Sequence, residues 1–236
     1  MPTQFTRRYF LAATSVLAAV RFPASAAEVP PMLDHVLLGT NNLDTGIAEI
    51  EQKSGVRAAG GGSHPGAGTW NALLSLGTER YLEIIAPDPK QKGVPANRYG
   101  ELAGLTKPRL ITWAAHTRDI DAVAQRLRDA GIAANGPNDG SRVRPDGKTL
   151  HWRTLALKDN KNGLLPFFIQ WGADSIHPSV DAPHGCQLVS FEVVSPEADS
   201  LRDLFQKTDV EVQVRAGAAQ LRAHIQSPRG EFELIS

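Results

Sequence analysis

The chain has 236 residues, with 25 basic and 25 acidic side chains and an apolar fraction of 42%. That length fits one large domain or two small ones, and the apolar fraction is enough for a buried core. The balanced charge gives no footprint for a nucleic acid or a membrane surface. Cys186 is the only cysteine, which excludes an internal disulfide and a thiolate metal cluster. Any metal site must use His, Glu, Asp or Gln, a donor set that favours zinc, nickel, iron or manganese.

Residues 1–26 have the features of an export signal. The run Thr6-Arg7-Arg8-Tyr9-Phe10-Leu11 resembles the twin-arginine motif, and the apolar run over residues 11–20 is too short to span a bilayer. Ala24-Ser25-Ala26 has the small-x-small form of a cleavage site. The alternatives are an ordinary N-terminal helix and a membrane anchor. We expect cleavage, a periplasmic location and a mature charge of −3, because the signal holds three of the 25 basic residues and no acid (22 minus 25).

The rest of the chain, residues 27–236, repeats one order of elements three times. Apolar alternation predicts strands, and a 3.6-residue period predicts helices between them. The order β-α-β-β-β recurs over about residues 33–86, 110–171 and 186–236, with Pro-containing linkers between the units. Repetition on this scale indicates internal structural duplication within one domain.

Local signals predict where some elements begin and end. Asn42 can cap the start of the first helix, and Gly55 can end it. In the second unit, Asn138-Asp139-Gly140 predicts a turn, and residues 142–144 predict a short strand after it.

Two ligand-type side chains of the first unit lie on apolar strands. In Tyr81-Leu82-Glu83-Ile84-Ile85 both faces are apolar, so Glu83 is a carboxylate on a strand that is buried on both sides. His35 has the same character in Leu33-Asp34-His35-Val36-Leu37-Leu38. An ionised carboxylate in such a place is costly unless it is paired or binds a metal. The residues leave two interpretations open, a metal pair and a metal-free hydrogen-bonded His–Glu pair.

Four runs carry a family resemblance. They are Leu33-Asp34-His35-Val36, His64-Pro65-Gly66-Ala67-Gly68-Thr69-Trp70-Asn71-Ala72-Leu73-Leu74, Tyr81-Leu82-Glu83-Ile84-Ile85 and Gly163-Leu164-Leu165-Pro166-Phe167-Phe168-Ile169-Gln170-Trp171. These runs resemble the bacterial glyoxalase-like domain family of the glyoxalase/bleomycin-resistance/extradiol-dioxygenase superfamily (vicinal oxygen chelate fold). The resemblance covers most of residues 33–236. It implies an α+β fold in which two β-α-β-β-β units pair their curved sheets into a cup.

The resemblance also implies the place of a divalent metal ion, on the first and last strands of each unit. His35 and Glu83 occupy those places in the first unit. In the second unit the matching places fall near residues 112–113 and 169–170, where only Gln170 can coordinate. The implied ligand set is therefore His35, Glu83 and Gln170, which is incomplete for a glyoxalase. Which two of the three units form the cup stays open.

Three further side chains are candidates for the same cup. His64 is a candidate ligand, catalytic acid or substrate clamp, with a polar loop residue as the alternative. Asn71 can orient a substrate carbonyl, or it can close a turn. Trp113 is a core residue or a pocket wall, and as a wall it would bind the substrate.

Basic side chains cluster in the second unit, namely Arg142, Arg144, His151 and Arg153. His151 and Arg153 share one strand face and are candidates for binding a substrate carboxylate or phosphate through charge-assisted hydrogen bonds. A solvated basic strand is the alternative.

We therefore expect an exported glyoxalase-like enzyme, a lyase, isomerase or oxygenase that acts on a small substrate with vicinal oxygens. A divalent metal would act as a Lewis acid, or Glu83 would move a proton as a base. The alternative is a metal-free protein that sequesters a small molecule. The expected partner is a small molecule. We expect no nucleic-acid partner and, after signal cleavage, no membrane partner. A homodimer is one assembly that the sequence allows.

Overall fold

The computed structural model describes residues 28–96, 102–144 and 146–236, so the predicted export signal lies outside the described residues. The first unit consists of β1 (Leu33–Gly39), α1 (Leu43–Ser54), β2 (Ala59–His64), β3 (Thr69–Ser75) and β4 (Tyr81–Pro87). The second consists of β5 (Arg109–His116), α2 (Ile120–Asp129), β6 (Ala134–Val143), β7 (Thr149–Leu157) and β8 (Phe167–Trp171). The third consists of β9 (Gln187–Ser195), α3 (Ala198–Thr208), β10 (Gln213–Ala216), β11 (Gln220–Ser227) and β12 (Gly230–Ile235).

Capping residues fix the ends of the first helix as the sequence predicts. The side chain of Asn42 accepts a hydrogen bond from the N–H of Thr45 at the start of α1. Gly55 ends the same helix in the left-handed conformation, with φ 78°. No helix in the described part of the chain is long and apolar enough to cross a membrane.

The first and second units pair to form one strongly curled sheet of eight strands, an α+β half-barrel. The strand order is β2-β3-β4-β1-β5-β8-β7-β6. β1 and β5 are antiparallel neighbours and join the two units, while β4 runs parallel to β1 and β8 runs parallel to β5. These two units therefore form the cup.

The third unit forms a separate sheet and covers the helix side of the cup. Its four strands have the order β10-β9-β11-β12. The ring of Trp113 on β5 packs against Phe191 of β9 at 5.1 Å and Phe205 of α3 at 6.3 Å between centroids. Buried side chains of all three units share one apolar cluster. The third unit therefore seals one face of the large sheet, and the concave face carries the cavity.

Strand β6 differs from the sequence prediction. Asn138-Asp139-Gly140 predicts a turn, yet β6 passes through these residues as one strand, with a register shift against β7 between Asn135 and Asn138. The reason is position, because β6 lies at the edge of the eight-stranded sheet and edge strands tolerate residues that favour turns. The longer strand carries Arg142 into the wall of the cup.

Candidate active site

A cavity of about 740 Å³ occupies the concave face of the cup. The first unit supplies its polar floor, which includes His35 of β1, His64 of β2, Asn71 of β3 and Glu83 of β4. The second unit supplies a mixed wall, in which Trp152, Phe167, Ile169 and Trp171 lie beside polar side chains of β6 and β7. A concave site that combines aromatic side chains with converging polar groups is the usual form of a small-molecule site.

His35 is buried and charged. Its Nε2 lies 3.4 Å from Oε2 of Glu83 on the neighbouring parallel strand, and its Nδ1 lies 2.6 Å from Oδ1 of Asp34. Burial by itself disfavours the imidazolium, but the interactions with the two carboxylates outweigh it and raise the pKa of His35 to about 9. His35 is therefore an imidazolium at neutral pH, with one N–H on Asp34 and the other directed towards Glu83.

Glu83 is the carboxylate at the centre of the floor. Burial by itself raises its pKa, but His35, His64 and Asn71 outweigh burial and lower the pKa of Glu83 to about 2. Nδ2 of Asn71 donates to Oε1 of Glu83 at 2.7 Å, and Nε2 of His64 lies 3.7 Å from the same oxygen. A carboxylate with so low a pKa is a weak base, and its main effect is to favour positive charge on the histidines beside it.

His64 has the hydrogen-bond pattern of a neutral imidazole. Its Nδ1 lies 2.9 Å from Oγ1 of Thr69, and its Nε2 lies 3.2 Å from Nδ2 of Asn71. An amide nitrogen can only donate, so the contact with Asn71 is a hydrogen bond when Nε2 of His64 carries no proton and the ring proton lies on Nδ1. Nε2 is therefore the atom at which His64 can take up a proton, with Glu83 beside it.

The Gly-rich run before His64 makes room for Asn71. A Cβ atom at Gly61 would collide with Oδ1 of Asn71, whereas a Cβ at the neighbouring Gly60 would meet nothing within 4 Å. Oδ1 of Asn71 is buried and accepts no hydrogen bond from a described residue. The amide keeps this orientation because Glu83 and His64 both need its N–H groups.

Gln91 fixes the His64 loop, and sequence analysis missed it. Its Nε2 donates to the carbonyls of His64 at 3.0 Å and Thr69 at 3.3 Å, and its Oε1 accepts from the N–H of Gly66 at 2.9 Å. The segment around Gln91 follows no hydrophobic period and was interpreted as a linker. One amide in such a segment gives no signal that it reaches back to a strand.

Asp34 is the second residue that sequence analysis missed. Its Oδ2 accepts a hydrogen bond from Nε1 of Trp171 at 2.9 Å and lies 3.3 Å from Nε2 of His177. Burial by itself raises its pKa, but the hydrogen bonds with His177 and His35 hold the pKa of Asp34 well below its usual range. The sequence did offer a signal for Asp34, because its carboxylate directly precedes the buried His35.

Two predicted site residues point to the other face of the sheet. Trp113 takes the core position that was one of its two predicted alternatives, whereas Gln170 does not reach the cavity. Trp113 is 0% exposed in the core, and its Nε1–H donates to the carbonyl of Leu164 at 3.0 Å. Gln170, the predicted third metal ligand, accepts the N–H of Ile120 at the start of α2 through Oε1. Strand alternation explains this error, because Ile169 rather than Gln170 takes the position that faces the cavity.

Of the two predicted substrate-binding residues of β7, His151 borders the cavity and Arg153 does not. Arg153 points outward, where its Nη1 donates to Oδ2 of Asp121 on α2 at 2.7 Å, so it does not contact the cavity. His151 is exposed and lies among the residues that border the cavity. The basic side chain that does enter the wall is Arg142 of β6, which the sequence had placed in the same basic cluster.

The predicted divalent metal does not fit the donor set as it is arranged. Within the described ranges, no group of three or more His, Cys, Asp or Glu side chains could hold a metal ion. Nδ2 of Asn71 contacts both Oε1 of Glu83 and Nε2 of His64, and Nδ1 of His35 is hydrogen-bonded to Asp34. The floor thus has the hydrogen-bonding pattern of an acid–base cluster.

The fold and the site define an α+β protein with a curved-sheet cup and a floor of paired histidines and carboxylates. The glyoxalase-like domain family matches residues 33–208, and the chain belongs to this family. The matched range contains both units of the cup and reaches the end of α3. No curated protein matches the sequence.

Solved structures match this chain at low sequence identity. A hypothetical protein from Staphylococcus aureus is 17% identical, with 85% of this chain and 84% of that chain covered and a TM-score of 0.58. Methylmalonyl-CoA epimerase from Mycobacterium tuberculosis is 19% identical, over 62% of this chain and 90% of the other, with a TM-score of 0.42. The Streptomyces coelicolor epimerase is 18% identical, over 63% and 99%, with a TM-score of 0.44. At these identities the likeness concerns the fold alone.

Proposed function

We propose that this protein is an exported enzyme that moves a proton on a small substrate with oxygens on neighbouring carbon atoms. One observation supports the proposal above all: two histidines flank Glu83 on the floor of the cavity, with Nε2 of His35 at 3.4 Å and Nε2 of His64 at 3.7 Å from its carboxylate oxygens. We infer that His35 is charged and His64 neutral. Pairs of titratable groups that their surroundings hold in different protonation states are typical of acid–base sites.

His64 is the proton acceptor in this proposal. Its Nε2 takes a proton from a carbon next to a carbonyl group, and Glu83, 3.7 Å away, stabilises the imidazolium that forms. The electron pair of the broken C–H bond moves to the carbonyl oxygen. Return of the proton by His64 to the neighbouring carbon, with transfer of the hydroxyl proton between the two oxygens, completes an isomerisation. Delivery of a proton to the opposite face of the same carbon completes an epimerisation, and neither reaction needs an oxidant.

His35 stabilises the negative charge on the substrate oxygen. With a pKa of about 9 it stays charged at neutral pH, so its Nε2–H can donate to a developing oxyanion on the floor of the cavity. The 3.4 Å separation from Oε2 of Glu83 is long for a hydrogen bond, which leaves that N–H available to the substrate. Asp34 holds the ring through Nδ1.

Hydrogen–deuterium exchange tests the proposal without a known product. The full-length protein is incubated in D2O with a panel of 2-hydroxy and 2-oxo aldehydes, ketones and acids, and NMR follows the replacement of C–H by C–D. We expect exchange in the wild type and a loss of about 10²- to 10⁴-fold in His64→Gln. His224→Gln is the control, because His224 pairs with Glu231 in the third unit. Equal rates in wild type and His64→Gln, or no exchange across the panel in folded protein, would contradict the proposal.

A metal-dependent enzyme is the competing proposal for the same residues. Elemental mass spectrometry of untagged wild type and Glu83→Gln separates the two. The arrangement of N–H groups around Glu83 predicts no stoichiometric metal in either protein. Near-stoichiometric metal that is lost in Glu83→Gln would replace the proton-transfer account by a Lewis-acid one with His35 and Glu83 as ligands.

Export is proposed from the N-terminal sequence alone. The experiment expresses the full chain with its own N-terminus in a bacterium and identifies the N-terminal residue by mass spectrometry. We expect periplasmic protein that begins at Ala27, and its loss when Arg7 and Arg8 are both replaced by Lys. Unprocessed protein in the cytoplasm in both cases would contradict export.

A further inference from the structure

Arg142 is a buried arginine in the wall of the cup. It lies near the end of the edge strand β6 and is 5% exposed. It borders the large cavity and also a second cavity of about 220 Å³. Its aliphatic stem lies against Gly62, where φ is 136° and a Cβ atom would come within 3.2 Å of Cδ of Arg142. The glycine therefore leaves the space that the stem of Arg142 fills.

The guanidinium of Arg142 has no acceptor among the residues that the structure describes. Its charge interacts at a distance with Glu83 and Tyr81, but neither a hydrogen bond nor a salt bridge joins it to a described group. Two nearby arginines, Arg144 directly after β6 and Arg153 of β7, do have carboxylate partners. Nη2 of Arg144 lies 2.5 Å from Oδ2 of Asp181, and Arg153 pairs with Asp121.

A guanidinium that is only 5% exposed is costly when the protein supplies no acceptor for its five N–H donors and only the cavity is left to do so. Burial lowers the pKa of Arg142 from its ordinary value, which has the same physical cause, and Glu83 partly offsets that shift. Such a group is retained where a ligand supplies the missing acceptors. The planar fork of arginine matches the two oxygens of a carboxylate or a phosphate.

The charges around the cavity leave room for an anion. Asp34 and Glu83 carry two negative charges, and His35 and Arg142 carry two positive ones, so the buried groups balance before a ligand enters. Lys158 and Asp139, both exposed at the border of the cavity, add one charge of each sign there. Glu83 already accepts the N–H of Asn71, so it does not meet the hydrogen-bonding needs of Arg142.

We infer that Arg142 binds an oxyanion group of the substrate, a carboxylate or a phosphate, and so holds the substrate over the floor of the cup. The inference rests on the proposed function in that it takes this cavity as the substrate site. It makes the substrate class an acid with a carbonyl or hydroxyl carbon that the two histidines can reach. Arg142 is then a specificity-determining residue of the proposed reaction.

Binding measurements test this inference separately from catalysis. Calorimetry compares pyruvate, its uncharged methyl ester and inorganic phosphate as probes of wild type, Arg142→Gln and Arg142→Lys. We expect pyruvate or phosphate to bind the wild type, with affinity at least about tenfold lower in Arg142→Gln. The preference between pyruvate and phosphate distinguishes a carboxylate site from a phosphate site. The uncharged methyl ester should bind wild type and Arg142→Gln with equal affinity. Arg153→Gln is the matched control, because Arg153 is an outward-facing arginine of the same sheet.

A measurement on the wild type alone covers the case in which a variant does not fold. In protein labelled with ¹⁵N in arginine, the guanidinium signal of Arg142 should shift on titration with the bound probe, while that of Arg153 should not. No binding of pyruvate or phosphate to folded wild type, or equal binding to wild type and folded Arg142→Gln, would overturn the inference. Anion binding through Arg142 without any C–H exchange would contradict the proposed reaction but would still support Arg142 as the residue that binds the oxyanion.

Discussion

Nδ1 of His35 lies 2.6 Å from Oδ1 of Asp34, the residue directly before it in the sequence. Consecutive side chains of a regular strand point to opposite faces, so such a pair needs an irregular backbone. β1 has that irregularity, a register shift against β5 between Leu33 and His35. The shift places both side chains of the Asp-His pair in one buried cluster, and it gives the site a histidine whose charge is fixed by its own neighbour.

Asp34→Asn should destabilise the protein strongly. The substitution leaves the buried His35 facing Glu83 alone and weakens the acceptor for Trp171. We expect the free energy of unfolding to fall by about 3 kcal/mol, as for other broken buried ion pairs. Urea unfolding measures the change. Asp121→Asn removes the exposed partner of Arg153 and is the control. A loss of stability in Asp121→Asn as large as that in Asp34→Asn would contradict the account.

Stability should depend on pH in a way that identifies this cluster. The pKa of His35 rises from 6.5 to about 9, so its contribution is fully present below pH 6.5 and is lost as the pH rises towards 9. The pKa of Glu83 falls from 4.5 to about 2, so its contribution is present above pH 4.5 and is lost as the pH falls towards 2. The contribution of the pair is therefore largest between pH 4.5 and 6.5.

The alkaline side of this dependence is the part to measure. From pH 6.5 to 9 the free energy of unfolding should fall by on the order of 3 kcal/mol. The slope should disappear in His35→Gln and persist in His224→Gln, the exposed control. A wild-type protein whose stability is constant over this range would show that His35 is not held as an imidazolium.

Gly61→Ala and Gly60→Ala should differ although they are neighbours. The new methyl group at position 61 collides with Oδ1 of Asn71, and at position 60 it meets nothing within 4 Å. We expect Gly61→Ala to cost about 1–3 kcal/mol of stability by overpacking and to slow C–H exchange by displacing the amide from His64 and Glu83. Gly60→Ala should change the stability and the rate of C–H exchange only slightly. Equal behaviour of the two variants in unfolding and exchange assays would contradict the positioning role of Asn71.

Gln91→Ala should impair the reaction more than the fold. Its side chain holds the carbonyls of His64 and Thr69 from an adjoining loop, so its loss frees the loop that positions the imidazole. We expect kcat to fall about tenfold while the free energy of unfolding falls by about 1 kcal/mol. Lys92→Ala, at the exposed next position, is the control. A rise in KM with kcat unchanged would assign Gln91 to substrate binding instead.

The sequence singles out His35 and Glu83 of the cavity floor, because both are polar residues on buried strands. His35 and Glu83 are polar residues on strands that are apolar on both faces, a conflict that stands out without a structure. The caps of α1 are local and the β-α-β-β-β order is repeated, so a single sequence also shows them, whereas the cup was implied by the family resemblance. Side chains that depend on pairing between distant strands are the ones that remain hidden.

Gln170 and Asp34 show that limit. One step of strand alternation decides whether Ile169 or Gln170 faces the cavity, and the sequence does not fix that step for a short apolar strand. The placement of Asp34 depends on a register shift between β1 and β5, which belong to different units. Arg142 was placed after a turn because Asn-Asp-Gly favours turns, and the edge position of β6 overrides that preference.

The protonation states of the two floor histidines test the central claim most directly. In full-length protein labelled with ¹⁵N in histidine, NMR at pH 7.5 reports which ring nitrogens carry protons. The account predicts protons on both nitrogens of His35 and on Nδ1 alone of His64. A neutral His35 at this pH, or a His35 whose Nε2 is bound to a metal ion, would contradict an acid–base site built on Glu83.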